Sequence, residues 1–295
     1  MRVDPNYISN LSAALDQSSS VEAALTNQLS SGLRITSLSD DPVAAAQNSM
    51  LSSAIAKEDS FIHTASGQAS LMQVADSTLG EVVSQLTSAV SLAVQAGNGT
   101  SNAANLTVIA QQLSGIRDQV LSLANTSYMG QPLFAGSQGS AKPFTLDPSS
   151  TPPTVTYTGD SSQRFVETPS GQKIQTNLIG ADVFGSGSSG VFGALNQLIS
   201  DLSSSTAVPS DAAALSAALS QVSAQRSVLG GSLSRMQATS TYAQTEEAQL
   251  RVQQGALISA DPVSIATELK SAEVQRQALM SVMSAVGKNN LFDYL

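Results

Sequence analysis

Residues 29–47 read LSSGLRITSLSDDPVAAAQ, and this stretch decides how the chain is organised. Upstream of it, apolar residues recur at helical spacing as far as Leu29. Gly32 follows, and a glycine just past the last periodic residue is a common helix stop. Downstream, Asp41 is placed to cap the next helix and Pro42 to occupy its first position, where the missing N–H costs nothing. The stretch therefore predicts a break between two helices.

The same break is repeated near the other end of the chain. Asp261–Pro262–Val263 matches Asp41–Pro42–Val43, so a second proline-opened helix is predicted to begin there. The first helical segment, residues 8–33, and the last, residues 262–287, have about the same length, each about 39 Å as a helix. Equal lengths and matching breaks predict that the two terminal helices pair with each other.

The breaks and three stretches in the middle of the chain carry a family resemblance. LSSGLRI followed by SDDP, together with an apolar helical C-terminus, resembles the bacterial flagellin superfamily. LAVQAGNGT at 92–100, LANTSYMGQPLFAG at 123–136 and VTYTGDSSQRFVE at 155–167 resemble its hook–filament junction branch more closely than filament flagellin. The resemblance covers most of the chain, and the motifs are specific because several independent ones occur in the family's order.

The resemblance implies a structural protein of the bacterial flagellum, not an enzyme, that joins hook-side components to the filament by subunit packing. It implies self-assembly in a ring or helical array, with another hook-associated protein on the hook side and flagellin on the filament side. It also implies secretion by type III export and a cytoplasmic export chaperone on the C-terminal helix. Two alternatives remain open: filament flagellin itself, and a helical binding or adhesion module with a ligand-binding β insert.

The composition favours long, thin helical seams over a bulky core. Only 12% of the residues are charged and 4% are aromatic, while 41% are hydrophobic. The net charge of −9 argues against nucleic acid as a partner, because a phosphate backbone needs clustered Lys and Arg. No run approaches about 18 apolar residues, so we expect no membrane span. The N-terminal MRVDPNYIS lacks the apolar stretch of a cleaved secretory signal, so we expect none. Without cysteine there is no disulfide or thiol chemistry.

Helical periodicity extends over most of the chain outside its middle. Residues 42–97 and 103–127 predict two helices, and the apolar spacing in the second averages about 3.5 residues, the coiled-coil period. Residues 191–202 predict a short helix. A heptad pattern over residues 211–257 predicts the longest seam, within which Gly230–Gly231 predicts a local weakness and not an end.

The middle of the chain leaves this pattern. Proline, glycine, serine and threonine concentrate there, and residues 155–158 and 164–167 predict two strands around a turn, with 173–176 as a third. We therefore expect a mainly α fold, in which both chain ends form a long antiparallel helical bundle or coiled-coil rod with a small β-rich inserted domain. The expected domains are terminal assembly arms at 1–41 plus 259–295, a helical rod domain at 42–137 plus 191–258, and the β-rich insert at 138–190.

Few residues offer catalytic or metal-binding chemistry. The single histidine, His63, lies in helical sequence with no second His or Cys nearby, so a position on the helix surface or in a seam explains it best. Asp40–Asp41 could be a metal pair, but a helix cap explains it better. Residues 185–190 match GxGxxG only on paper, because they lie in a Ser/Gly linker without a βαβ unit. We expect no catalytic residue, cofactor or metal.

The residues expected to act are those of an assembly seam on the two terminal helices. Polar residues occupy some seam positions, namely Ser18, Glu22 and Arg276, and such residues reduce the stability of a seam. We therefore expect both ends to be largely disordered in the monomer and to fold on packing against neighbouring subunits. The predicted seam residues are Leu11, Leu15, Leu25, Leu29, Ile265, Leu269, Leu279, Met283, Val286 and Leu295.

A second group of candidate residues lies at the two breaks and forms a hinge or contact motif. Arg34 is open to two interpretations: a subunit contact, as the resemblance implies and as arginine enrichment at interfaces favours, or a solvated arginine. The motif consists of Gly32, Arg34, Asp40, Asp41, Pro42, Asp261 and Pro262.

Overall fold

The computed structural model describes residues 5–98, 102–139, 142–150, 152–204 and 209–288. Within these ranges the chain forms seven helices and six short strands, which confirms the predicted mainly α fold with a small β-rich region. The chain divides into two compact units. The terminal unit comprises Met1–Ala56 with Glu246–Leu295, and the central unit comprises Lys57–Thr245.

The helices follow the predicted pattern closely. Four of those that the structure describes begin with proline, since the first helical residue needs no N–H donor. The short helix α4 was not predicted, and α3 ends three residues earlier than expected. The helices are α1 (Pro5–Ser31), α2 (Pro42–Gly97), α3 (Ala103–Ala124), α4 (Gly180–Phe184), α5 (Gly190–Ser203), α6 (Pro209–Ile258) and α7 (Pro262–Lys288).

The strands form three antiparallel two-stranded sheets, β1 with β2, β3 with β4, and β5 with β6. They are β1 (Ser127–Tyr128), β2 (Gln131–Pro132), β3 (Phe144–Asp147), β4 (Thr154–Tyr157), β5 (Phe165–Glu167) and β6 (Lys173–Gln175).

The predicted hairpin between residues 155–158 and 164–167 is wrong. The first of these segments, as β4, pairs with the unpredicted β3, and the second, as β5, pairs with β6. The turn between them is held elsewhere, because Asp160 accepts hydrogen bonds from the N–H groups of Ser137 (2.8 Å) and Ser162 (3.0 Å). This anchoring to the segment after β2 keeps the chain from folding back on β4.

The core of the central unit joins the helices to the β-rich segment. In α6 the predicted heptad register is confirmed, because five residues seven positions apart are buried: Leu215, Val222, Leu229, Met236 and Ala243. Four phenylalanine rings from the middle of the chain meet these helices: Phe134, Phe144, Phe184 and Phe192, with neighbouring centroids 5.3–5.9 Å apart. Helices and β-rich segment therefore share one core.

A smaller cluster in the central unit attaches the β5–β6 hairpin to α2 and α6. Ile174 of β6 is buried with Phe61 and Ala65 of α2 and with Met236 and Ala243 of α6. In the ranges that the structure describes, no helix has both the length and the apolar character needed to cross a membrane.

Candidate assembly surface

The two helix breaks lie side by side in the terminal unit. The Arg34 N–H donates to the Ile258 carbonyl (2.8 Å), and the Ala260 N–H donates to the Gly32 carbonyl (3.0 Å). Gly32 adopts a φ of +70°, and its N–H donates to the Gln28 carbonyl (2.9 Å), so it ends α1 as predicted. The matching breaks of the sequence are thus physically joined, and each satisfies backbone groups that a helix end leaves free.

The carboxylates at the breaks are used locally. Asp41 caps α2, because its Oδ1 accepts the Ala44 N–H (3.0 Å). Asp40 closes the preceding turn by accepting the N–H groups of Thr36 (2.9 Å) and Ser37 (2.8 Å) and both of their hydroxyls. These bonds lower the pKa of Asp40 to about 2, because they favour the charged carboxylate. The cap interpretation is therefore confirmed for Asp41, whereas Asp40 does not cap the helix and instead closes the turn before it.

The second break repeats this local chemistry with one carboxylate. The Asp261 Oδ1 accepts the Val263 N–H (3.0 Å), and the Asp261 carbonyl accepts the Ile265 N–H (3.0 Å) at the start of α7. Pro262 begins the helix, as Pro42 does at the first break.

Arg34 joins the two breaks through its side chain. Its Nη2 donates to the Leu257 carbonyl (3.1 Å) in the last turn of α6, and its Nη1 lies 3.6 Å from Asp41 Oδ2 at the start of α2. Half of the side chain remains exposed. The guanidinium is therefore held in a fixed place with donors still open to solvent, which leaves both sequence interpretations available and adds an internal bracing role.

The terminal helices α1 and α7 pack against each other, which confirms the predicted pairing. Their shared core contains Leu25, Ile265 and Ala272, with Leu269 and Ala260 partly buried beside them. It is a thin seam for two helices of 27 residues each.

The predicted seam residues divide by burial. Leu25 and Ile265 are buried, Leu11, Leu15, Leu269 and Leu279 are half-buried, and Leu29 and Met283 are exposed. The side chain of Val286 and the whole of Leu295 lie outside what the structure describes. The seam is therefore only partly covered by the chain's own residues.

Many large apolar side chains of the terminal unit face solvent. Val43 and Val263 occupy equivalent positions in the two breaks and are 69% and 74% exposed. We call the exposed residues the terminal apolar set: Val21, Leu29, Leu38, Val43, Met50, Val252, Val263, Val274, Met280, Val282 and Met283. Large exposed apolar patches are typical of protein–protein interaction sites, so this set is the candidate assembly surface. The sequence pattern missed most of them, because they lie outside the predicted seam.

The structure assembles little that resembles a catalytic or metal centre. Its described ranges contain no group of three or more His, Cys, Asp or Glu side chains that could hold a metal. His63 is on the surface of α2, with Nε2 3.5 Å from Asp59 Oδ1. The terminal unit offers exposed apolar side chains, which bind a partner by burial, and the exposed hydrogen-bond donors of Arg34.

Two family models match the chain. The bacterial flagellin N-terminal helical region matches residues 6–139, and the bacterial flagellin C-terminal helical region matches residues 212–295. Together the two models cover all the long helices and leave out most of the β-rich middle. The chain belongs to the bacterial flagellin family.

The chain is similar to flagellar hook-associated protein 3 of Salmonella typhimurium, with 37% identity over 121 residues, 41% of this chain and 38% of that protein. It is also similar to flagellar hook-associated protein 3 of Escherichia coli, with 34% identity over 118 residues, 40% of this chain and 37% of that protein. The matched region thus spans less than two fifths of either relative.

A solved structure has the same fold. Flagellar hook associated protein-3 from Legionella pneumophila superposes with a TM-score of 0.62 at 16% identity, covering 71% of this chain and 98% of that chain. At this identity the superposition supports the fold alone.

Proposed function

We propose that the chain is a structural component of the bacterial flagellum, located at the hook–filament junction, where it joins hook-side components to the filament by subunit packing. The flagellin family is one of flagellar structural proteins, and the two relatives described above are hook-associated proteins. The terminal apolar set is the single observation that carries the proposal, because it supplies the packing surface.

The physical argument concerns the α1–α7 pair. Ordering two helices of 27 residues costs conformational entropy at every residue, and three buried residues offset only a small part of it. The exposed apolar residues of the same unit are the remaining source of burial. Covering them against neighbouring copies supplies the missing stabilisation, so folding of the ends and assembly are one process.

The proposed partners follow from this surface. Copies of the chain contact each other head to tail, since contacts between different faces continue into a ring or helix. Another hook-associated protein lies on the hook side and flagellin on the filament side. Before export, a cytoplasmic chaperone covers the amphipathic stripe Ile265–Val286 of α7 in a helix-in-groove mode. We propose no nucleic acid, membrane or enzymatic role.

The seam and contact residues predicted from the sequence are the proposed assembly residues. Arg34 has a part in both roles, because it braces the breaks and keeps half of its side chain free for a neighbour. The three-part division into assembly arms, helical rod and β-rich insert also stays a prediction.

Deleting the gene tests the proposal. The expected cells carry hooks but no attached filament, and they release flagellin monomer into the medium. Attached filaments and normal motility would contradict the proposal. A polymerisation assay on the purified chain distinguishes the proposed junction protein from the alternative, filament flagellin. Flagellin elongates from seeds of itself, and a junction protein does not.

A further inference from the structure

The methionines are the only sulfur-bearing residues, because the chain has seven methionines and no cysteine. Met72 and Met236 have no exposed surface in the core of the central unit. The other methionines in the described ranges face solvent: Met50 is 73% exposed, Met129 87%, Met280 51% and Met283 37%. In the described ranges, two methionine thioethers are therefore protected from solvent and four are accessible to it.

Three of the accessible thioethers belong to the terminal apolar set. Met280 and Met283 are three residues apart on α7, so they lie on one side of the helix, and the exposed Val282 is adjacent. Met50 lies in the part of α2 that belongs to the terminal unit. Met129 differs, because it occupies the turn between β1 and β2 in the central unit.

We propose that Met50, Met280 and Met283 are oxidation-sensitive modification sites, and that their conversion to sulfoxide by a peroxide prevents assembly. The inference rests on the proposed function, since it assigns these residues to the surface that neighbouring subunits cover. In each reaction the thioether sulfur attacks hydrogen peroxide, a sulfur–oxygen bond forms, the O–O bond breaks and water leaves. The sulfur loses two electrons and the peroxide gains them.

The consequence for assembly is a change of polarity at the buried side of an interface. A sulfoxide is a strong hydrogen-bond acceptor, and burying it against apolar neighbours leaves that acceptor unpaired. Packing against a neighbour also covers the sulfur atoms, so assembled copies resist the oxidant. The sites thus act only on the unassembled chain.

The test compares peroxide-treated and untreated full-length chain for binding to hooks isolated from cells that lack the chain. Bound protein is measured by sedimentation, and each methionine is followed by peptide mass, which rises by one oxygen atom per sulfoxide. We expect untreated chain to sediment with hooks. Treated chain, with sulfoxide at Met50, Met280 and Met283 and intact Met72 and Met236, stays in the supernatant.

Two leucine variants locate the effect, because leucine matches methionine in volume and cannot be oxidised in this way. The variant M50L/M280L/M283L is expected to sediment equally before and after treatment, whereas M129L loses sedimentation as the unmodified chain does. Loss of sedimentation by the triple variant on treatment overturns the inference, as does unchanged sedimentation of treated unmodified chain.

A third measurement needs no variant. Methionine sulfoxide reductases remove the oxygen, so treated chain incubated with them is expected to regain its original mass and its sedimentation with hooks. Restored mass without restored sedimentation overturns the inference. Failure of the untreated chain to sediment is a different result: it contradicts the proposed function itself, and the inference falls with it.

Discussion

Glu22 of α1 and Arg276 of α7 form an ion pair, with Oε2 and Nε 2.9 Å apart. The sequence places both at positions of an apolar seam, and the structure gives each charge a partner there. Because the arginine side chain is 41% exposed, solvent screens the attraction and the pair adds little stability. The seam between α1 and α7 therefore still depends on its few apolar contacts.

We expect limited proteolysis of the purified monomer to remove α1 and α7 before any cut appears in the central unit. The reason is the thin core of Leu25, Ile265 and Ala272, compared with the many fully buried residues of the central unit. Mass spectrometry of the early fragments identifies the positions of the first cuts. Early cuts within Lys57–Thr245, with both terminal helices intact, would show the opposite order of stability.

Replacing the ion pair by apolar residues should strengthen the terminal pair. In the double variant E22L/R276L a partly exposed charge pair becomes an apolar contact, so the seam buries more apolar surface than before. Proteolytic removal of the terminal helices should therefore slow. The single variant E22L is the matched control, because it leaves Arg276 without its partner and should be cut faster. Equal cutting of both variants would mean that the pair has no influence.

Acid should loosen the first break as the pH falls from 3.8 to about 2. The pKa of Asp40 is lowered from 3.8 to about 2 by hydrogen bonds from Thr36 and Ser37. A lowered folded-state pKa means that the stabilisation is fully present above pH 3.8 and is lost as the pH falls toward 2. Hydrogen exchange of the Thr36 and Ser37 amides measures this loss. In D40N these amides should be less protected already at neutral pH, and unchanged protection would argue against the carboxylate as their anchor.

Two helical glycines of α2 should respond differently to alanine. A Cβ at Gly67 meets nothing within 4 Å, so Gly67→Ala should raise the free energy of unfolding by about 0.5–1 kcal/mol. A Cβ at Gly80 would lie 3.2 Å from Arg226 Nη2, which donates to Asp76 Oδ2 at 3.1 Å. Gly80→Ala should therefore gain less, or lose stability. Thermal unfolding measures the stability of both variants. An equal gain in stability would show that the Arg226 side chain makes room for the new Cβ at no cost in free energy.

The turn residue Met129 should be replaceable with a gain in stability. It adopts a φ of +50°, a left-handed conformation in which a side chain such as methionine is strained, and it is 87% exposed. Met129→Asn should raise the free energy of unfolding by about 1 kcal/mol, because asparagine tolerates this conformation better. Chemical denaturation measures the change, with the exposed helical Met50→Asn as a control without that strain. A loss in Met129→Asn would mean that the methionine makes contacts that stabilise the chain.

Much of the fold follows from local patterns, and the limits of prediction have physical causes. The paired breaks were predictable because caps, proline and glycine act within a few residues. The partners of polar residues in α6 were not predictable, since Arg226 bonds to Asp76 and Gln254 to Asn48 across great separations in sequence. The pairing of β3 with β4 was missed because the alternation of apolar and polar residues in β3 extends over only four residues, Phe144–Asp147, which is too short to stand out. Exposure of Val43 and Val263 depends on which helix faces are covered, and helix capping carries no information about that.

The joined breaks have a mechanical consequence. The Leu33–Ser259 bridge and its flanking hydrogen bonds join the end of α1 to the segment before α7. The helix pair α1–α7 is therefore connected to the rest of the chain by two chain segments that are bonded to each other. An insertion or deletion in residues 33–41 would therefore change how the start of α2 connects to both terminal helices at once, so the joined breaks constrain the length of this short connection.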